Sequence, residues 1–269
     1  MIDDKDLIEN RPTGISPSAF FVGHDREGLG NAVAAIAIYS LKGGVGKTSM
    51  AVNLAWCASS LCARRTLLWD LDPQAASTWL LGGPAPGDRA QAIFSRDVAV
   101  QRLIRQTDIP RLSLVGADDS LRGLDLLFHA IDKKKRLGKL VEGLDDYDSV
   151  ILDCPPGLTE TTEQVLRAVD LVVVPVVPSA LSTRALEVVD GHVRGRVPLL
   201  PVHVMVDRRR RLHAEALAQH PDWPVIPMAS LVEAMGQHRA PVGAFAPRSS
   251  AAKAYTDLWR LIEKRLAGG

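Results

Sequence analysis

Lys42-Gly43-Gly44-Val45-Gly46-Lys47-Thr48-Ser49 sets two cations, three glycines and two hydroxyls in eight consecutive residues. That composition suits an anion. Glycines permit a tight turn and let backbone N–H groups approach phosphate oxygens closely. The run ends in Gly-Lys-Thr, as a P-loop does, so Lys47 is expected on the β/γ-phosphates of a nucleotide and the Thr48 hydroxyl on Mg²⁺. The general pattern G-x-x-x-x-G-K-[ST] asks for glycine at position 41, where this chain has Leu41. Lys42 instead adds a second cation. A second cation beside a phosphate cradle needs a neutralising anion. A nucleotide phosphate supplies one, and it need not belong to the same chain. Two acidic segments complete the candidate chemistry: Asp70-Leu71-Asp72-Pro73-Gln74 and Asp153-Cys154-Pro155-Pro156-Gly157.

These residues work together only if the fold brings them to one edge. Residues 32–39 form a short apolar run before the glycine loop, which reads as a buried parallel strand. Met50, Leu54, Ala55, Ala58 and Leu61 follow at helical spacing. Residues 65–69 and 150–152 are further strand-like runs, each ending at an aspartate. In open α/β sheets ligands bind beyond the carboxyl ends of strands, where Mg²⁺ and an attacking water would sit. A lone aspartate there could equally be a helix cap or turn residue. The order of three such segments favours the metal reading.

The rest of the chain alternates in the same way. Residues 112–115, 171–176 and 203–206 read as strands, with Pro175 at a strand end. Helices are expected near 119–131, through Leu137, Leu140 and Val141, from Thr183 to Val189, after the arginine run, and over 251–266 with Tyr255, Leu258, Trp259 and Ile262 on one face. The cluster Lys133-Lys134-Lys135-Arg136 is expected on an exposed helix face. Gly82 to Gly87 is a Gly/Pro loop. The expected organisation is a flexible arm over 1–31 and one α/β domain over 32–269 with a parallel sheet.

The chain has 269 residues, 46% of them hydrophobic, and net charge +1. That is enough for one large core. Residues 191–269 hold 12 Lys and Arg against 6 Asp and Glu, so this third carries +6 and the remainder −5. Either an anionic partner or an ordinary solvated surface accounts for that basic third. No run approaches a membrane span, and the acidic N-terminus has no signal-peptide character. Cys57, Cys62 and Cys154 are unpatterned. They read as reduced thiols of a cytoplasmic protein, Cys57 and Cys62 as packing residues on one helix.

Residues 42–48, 70–74, 153–156 and Val174-Pro175-Val176-Val177-Pro178-Ser179 together resemble the deviant-Walker ATPases of the ParA/MinD class. Asp70-Leu71-Asp72-Pro73-Gln74, and Ala246-Pro247-Arg248-Ser249 followed by Tyr255, are most similar to the ParA branch. The resemblance implies a three-layer P-loop NTPase fold, a mostly parallel central sheet with helices on both faces. It implies ATP and Mg²⁺, with Gly43, Gly44, Val45, Gly46, Lys47, Thr48, Ser49, Asp70 and Asp153 about the nucleotide. Thr48 and Asp153 (through water) serve the metal, and Asp70 supports that shell. Asp72 aligns with the aspartate that positions the hydrolytic water, and Lys42 with the lysine that reaches the partner subunit's ATP. ATP is expected to make a homodimer that binds DNA without sequence preference and so sits on the nucleoid. A ParB-like protein or adaptor on a cargo is expected to trigger hydrolysis, partitioning a plasmid, chromosome or protein cluster. Among Arg208, Arg209, Arg210 and Arg211, Arg209 aligns best with a DNA-contacting arginine. A second basic position falls on Leu231, a departure from the family. Arg239, Arg248, Lys253, Arg260 and Lys264 are candidate substitutes.

Two other members of the superfamily compete. The MinD branch positions itself on membranes through a terminal amphipathic helix, and residues 258–266 share some of that character. A last packed helix fits the position better, without stable membrane insertion. An iron–sulfur relative would need several cysteine ligands, which three unpatterned cysteines do not provide.

Overall fold

The computed structural model describes residues 33–268 except 84–86, 88, 96, 97 and 132–134. The arm expected over 1–31 and Lys133 and Lys134 of the cluster at 133–136 lie outside the described residues. Eight strands form one sheet: β1 (Ala34–Ile38), β2 (Thr66–Asp70), β3 (Ile104–Gln106), β4 (Leu112–Val115), β5 (Ser149–Asp153), β6 (Leu171–Val176), β7 (Leu199–Val206) and β8 (Val225–Pro227). Their order is β3-β4-β2-β5-β1-β6-β7-β8, and every pairing except β3 with β4 is parallel. β2, β5 and β6 are buried along their whole length, which is why they read as continuous apolar runs. Pro175 is tolerated inside β6 because pairing with β1 stops at Val173 and only β7 continues beside it.

The helices are α1 (Lys47–Trp56), α2 (Ala76–Leu80), α3 (Ala92–Ser95), α4 (Leu124–Ile131), α5 (Arg136–Glu142), α6 (Glu160–Leu166), α7 (Ala180–Val193), α8 (Arg211–Gln219), α9 (Ser230–Glu233), α10 (Met235–His238), α11 (Val242–Phe245) and α12 (Ser250–Ala267). They cover both sheet faces, giving three layers. Alternation along β1 shows the division: Ala35, Ala37 and Tyr39 join one core with residues of α3 to α7, and Ile36 and Ile38 join another with α1 and α12. Tyr255, Leu258, Trp259 and Ile262 of α12 are all buried against that second core. At roughly 1.5–3 kcal/mol per large apolar side chain, this burial fixes the helix in the body of the domain.

Some boundaries differ from the sequence reading. α7 begins at Ala180 rather than Thr183, because Ser179 caps it by accepting from the Ser182 N–H. α1 ends at Trp56, and Cys57 opens a π turn to Leu61, closed by Cys62 N–H on the Cys57 carbonyl at 3.2 Å. Cys57 and Cys62 therefore do not share one regular helix, although Cys57 does pack in the core. Arg136 turns away from solvent and donates to the carbonyls of Ile93 (2.7 Å) and Phe94 (3.1 Å) at the end of α3.

Candidate nucleotide site

The loop from Ser40 to Gly46 joins β1 to α1 in the middle of the sheet. Gly44 and Gly46 take φ values of 72° and 84°, which favour glycine, and Gly46 stands immediately before the helix. A Cβ at Gly43 or Gly44 would meet nothing within 4 Å, so the space in front of the loop is free for a ligand. Val45 is buried and anchors the turn. Thr48 and Ser49 follow in the first turn of α1, whose N–H groups and dipole favour an anion.

Lys47 is buried, with its Nζ donating to the Lys42 carbonyl at 3.1 Å. Burial lowers its pKa, and the Asp153 and Asp72 carboxylates act in the opposite direction. Lys42 is half-buried, and its N–H donates to the Ser40 hydroxyl at 3.3 Å.

Strand register brings the acids to this loop. Asp153 pairs across β5 with Ile38 of β1 and with Asp70 of β2, so all three close the same sheet edge. Asp153 is buried and accepts from Ser77 Oγ at 2.7 Å through Oδ2. Its Oδ1 is buried without a hydrogen-bond partner. Burial raises the Asp153 pKa, and the nearby Ser77 and Thr48 hydroxyls draw it partly back. Asp70 is fully buried, and burial with the neighbouring Asp153 raises its pKa. Its Oδ2 accepts from Thr78 N–H (2.9 Å) and Oγ1 (2.7 Å), and its Oδ1 from Asp72 N–H (3.1 Å). Both Asp70 oxygens thus brace the following turn. Asp72 is half-buried and accepts from the Gln74 N–H at 2.9 Å.

An orphaned buried carboxylate oxygen near a threonine hydroxyl is an oxygen pair that fits a divalent cation of the Mg²⁺ type, and the Lys47 ammonium beside it suits the phosphate rather than the metal. Thr48 and Asp153 are the residues that fit it. Cys154 is buried, and burial raises its thiol pKa, so it stays protonated packing. The reading from sequence missed Ser77 and Thr78. They lie on a five-residue helix with no periodicity to announce it.

The arginine run lies after β7. Arg208 to Arg211 are exposed. Arg209 forms a two-point pair with Asp207, Nε to Oδ1 and Nη2 to Oδ2, both at 2.9 Å. Arg211 pairs with Glu215 at 3.4 Å. Among the described residues no acidic group pairs with Arg208 or Arg210. Leu231 is half-buried and packs on the core. Lys253, Arg260 and Lys264 recur along the exposed side of α12, and Arg239 instead lies against Trp79.

A family model described as an AAA domain matches residues 33–193. The sporulation initiation inhibitor protein Soj of Bacillus subtilis is 31% identical over 243 residues, covering 83% of this chain and 95% of that protein. The chromosome-partitioning ATPase Soj of Thermus thermophilus is 34% identical, covering 87% and 96%. Among solved structures, cobyrinic acid a,c-diamide synthase from Mycobacterium smegmatis, with bound ATP analog and magnesium, superposes with a TM-score of 0.73 at 25% identity, covering 88% of this chain and 97% of that one. The loop, the two acidic strand ends and the full-length relatives agree, and the chain belongs to the ParA/MinD class of P-loop ATPases, in its ParA partition branch.

Proposed function

We propose that this protein is a Mg²⁺-dependent ATPase whose ATP state is a DNA-bound homodimer that positions a cargo. The observation that carries the reading is the cluster of Lys47, Thr48 and the unpartnered Asp153 Oδ1 at one end of the central strands. The amides of Gly43, Gly44, Val45, Gly46, Lys47, Thr48 and Ser49 cradle the triphosphate, and Lys47 neutralises its β/γ end. Thr48 and Asp153 would hold Mg²⁺, which supplies charge neutralisation on the phosphates when bound. Asp70 keeps the 72–78 turn in place behind them. Asp72, whose one oxygen is held by Gln74 N–H, orients the attacking water. Lys42 reaches the triphosphate of the partner subunit, the anion that its extra charge calls for.

DNA is bound through phosphates by the loop after β7. Arg209 is the best-aligned position, but Asp207 already matches its charge. Arg208 and Arg210 therefore carry the uncompensated attraction. A ParB-like protein or an adaptor on the cargo stimulates hydrolysis, which dissolves the dimer and releases DNA.

Sizing chromatography of Asp72→Ala with ATP and Mg²⁺ tests the core of this reading. The variant is expected to run as a dimer and to hold unhydrolysed ATP. A variant that binds ATP yet stays a monomer contradicts the role of Asp72 and the shared site.

A further inference from the structure

α2 carries the two hydroxyls that grip the site carboxylates: Ser77 on Asp153 and Thr78 on Asp70. A helix of five residues has little stability of its own. Ala75, the residue before it, is in a left-handed conformation (φ 53°) and offers no side-chain cap. Asp70 and the Ala117 N–H anchor Thr78 and Leu80 packs in the core, but the exposed side of the helix at Trp79 is held by a different contact.

The next residue, Trp79, is half exposed, and its indole is covered by Arg239. The Arg239 Cζ lies 5.2 Å from the ring centroid. The same guanidinium donates to the Trp79 carbonyl through Nε (3.2 Å) and Nη2 (2.8 Å), beside the turn bond that this carbonyl accepts from the Gly82 N–H (3.2 Å). Gly236 of α10 lies under the indole: a Cβ there would come within 3.8 Å of the ring. Arg239 itself has φ 47° and ψ 47°, a backbone that glycine adopts freely and arginine does not. The segment around it is tied to the phosphate-loop helix through the buried Asn53 of α1. Asn53 Oδ1 accepts from Val242 N–H at 2.8 Å, and its Nδ2 donates to Met235 Sδ at 3.1 Å and to the Ser49 carbonyl at 2.7 Å.

We propose that Arg239 is a positioning residue for hydrolysis. Its forked contact with the Trp79 carbonyl and its stack on the indole lock α2 to the segment that Asn53 ties to α1. Ser77 and Thr78, and through them Asp153 and Asp70, are thereby kept in register with Lys47 and Thr48. The inference rests on the ATPase reading above, which supplies the reaction that the brace serves.

Arg239→Gly tests it, because glycine accepts the observed backbone and the fold is retained. Hydrogen exchange of the nucleotide-free protein is expected to show the amides of residues 76–81 exchanging at least about tenfold faster than in wild type. ATP turnover is expected to show kcat lowered about tenfold with KM for ATP within about twofold, the pattern of a misplaced reacting group rather than a lost binding contact. Arg239→Lys, a point charge without the fork, is expected to recover part of both. Unchanged exchange in α2, faster exchange with undiminished kcat, or a Lys variant no better than Gly overturns the proposal. Exchange requires no turnover. Wild-type protein without ATPase activity would thus remove the proposed function while the exchange result still decided whether Arg239 holds α2.

Discussion

Ser77 is fully buried, and its hydroxyl is the hydrogen-bond donor to Asp153 Oδ2. Ser77→Ala removes that donor and leaves a buried carboxylate with less to offset its desolvation. The expected cost is about 1–3 kcal/mol of stability, measurable by denaturant titration, together with weaker Mg²⁺-dependent nucleotide binding. The sequence displayed the members of the site that sit in motifs and concealed those placed by packing. Lys47, Thr48, Asp72 and Asp153 follow apolar runs or glycines that mark their places. Ser77, Thr78 and Asn53 act through contacts made by register and packing, which no local spacing records. Arg239 was visible only as a surface cation, because its partner Trp79 is 160 positions away.

Among the elements, the buried parallel strands were the most legible, since both faces are covered and the runs are uniformly apolar. β3 was missed: three residues, Ile104-Arg105-Gln106, paired antiparallel at the sheet edge, give neither an apolar run nor a period. β8 and α9 to α11 are too short to show a pattern. The packing of β7 against the segment that follows α8 carries its own consequence. His203 is buried, its Nδ1 has no hydrogen-bond partner, and its ring lies 4.9 Å from that of Trp223, which stacks on His220 at 4.0 Å. Burial lowers the His203 pKa, against a smaller opposing effect of the His220 carbonyl. The unfolded imidazole takes a proton near pH 6.5, whereas the folded one resists until lower pH. The unfolded state therefore binds more protons in that window, and His203 makes the fold lose stability as pH falls below about 6.5. His203→Phe keeps the aromatic stack, and its thermal midpoint is expected to fall less than that of wild type between pH 7.5 and 5.5.

For the whole molecule, charge is divided rather than large: +6 on residues 191–269 against −5 on the rest. Among the described residues no helix is long and apolar enough to cross a membrane. The apolar face of α12, the candidate for a surface anchor, is already buried in the core. DNA association through the loop after β7 would thus be electrostatic. Arg208→Glu with Arg210→Glu is expected to weaken ATP-dependent DNA retention at least about tenfold and to flatten its salt dependence, with ATP affinity unchanged. Arg209→Glu, which shifts the charge by two units rather than four, is expected to do less. Filter binding across a salt series separates the two, and equal retention at low and high salt removes the electrostatic account.

The packing of the last helix sets a timetable for synthesis. α1 is finished at Trp56, but α12, which lies on it, begins only at Ser250. A growing chain therefore carries one face of α1 without its cover until the residues after Ser250 have been made, and only then closes the domain. Premature stops ahead of Ser250 should yield insoluble fragments rather than partly working enzyme.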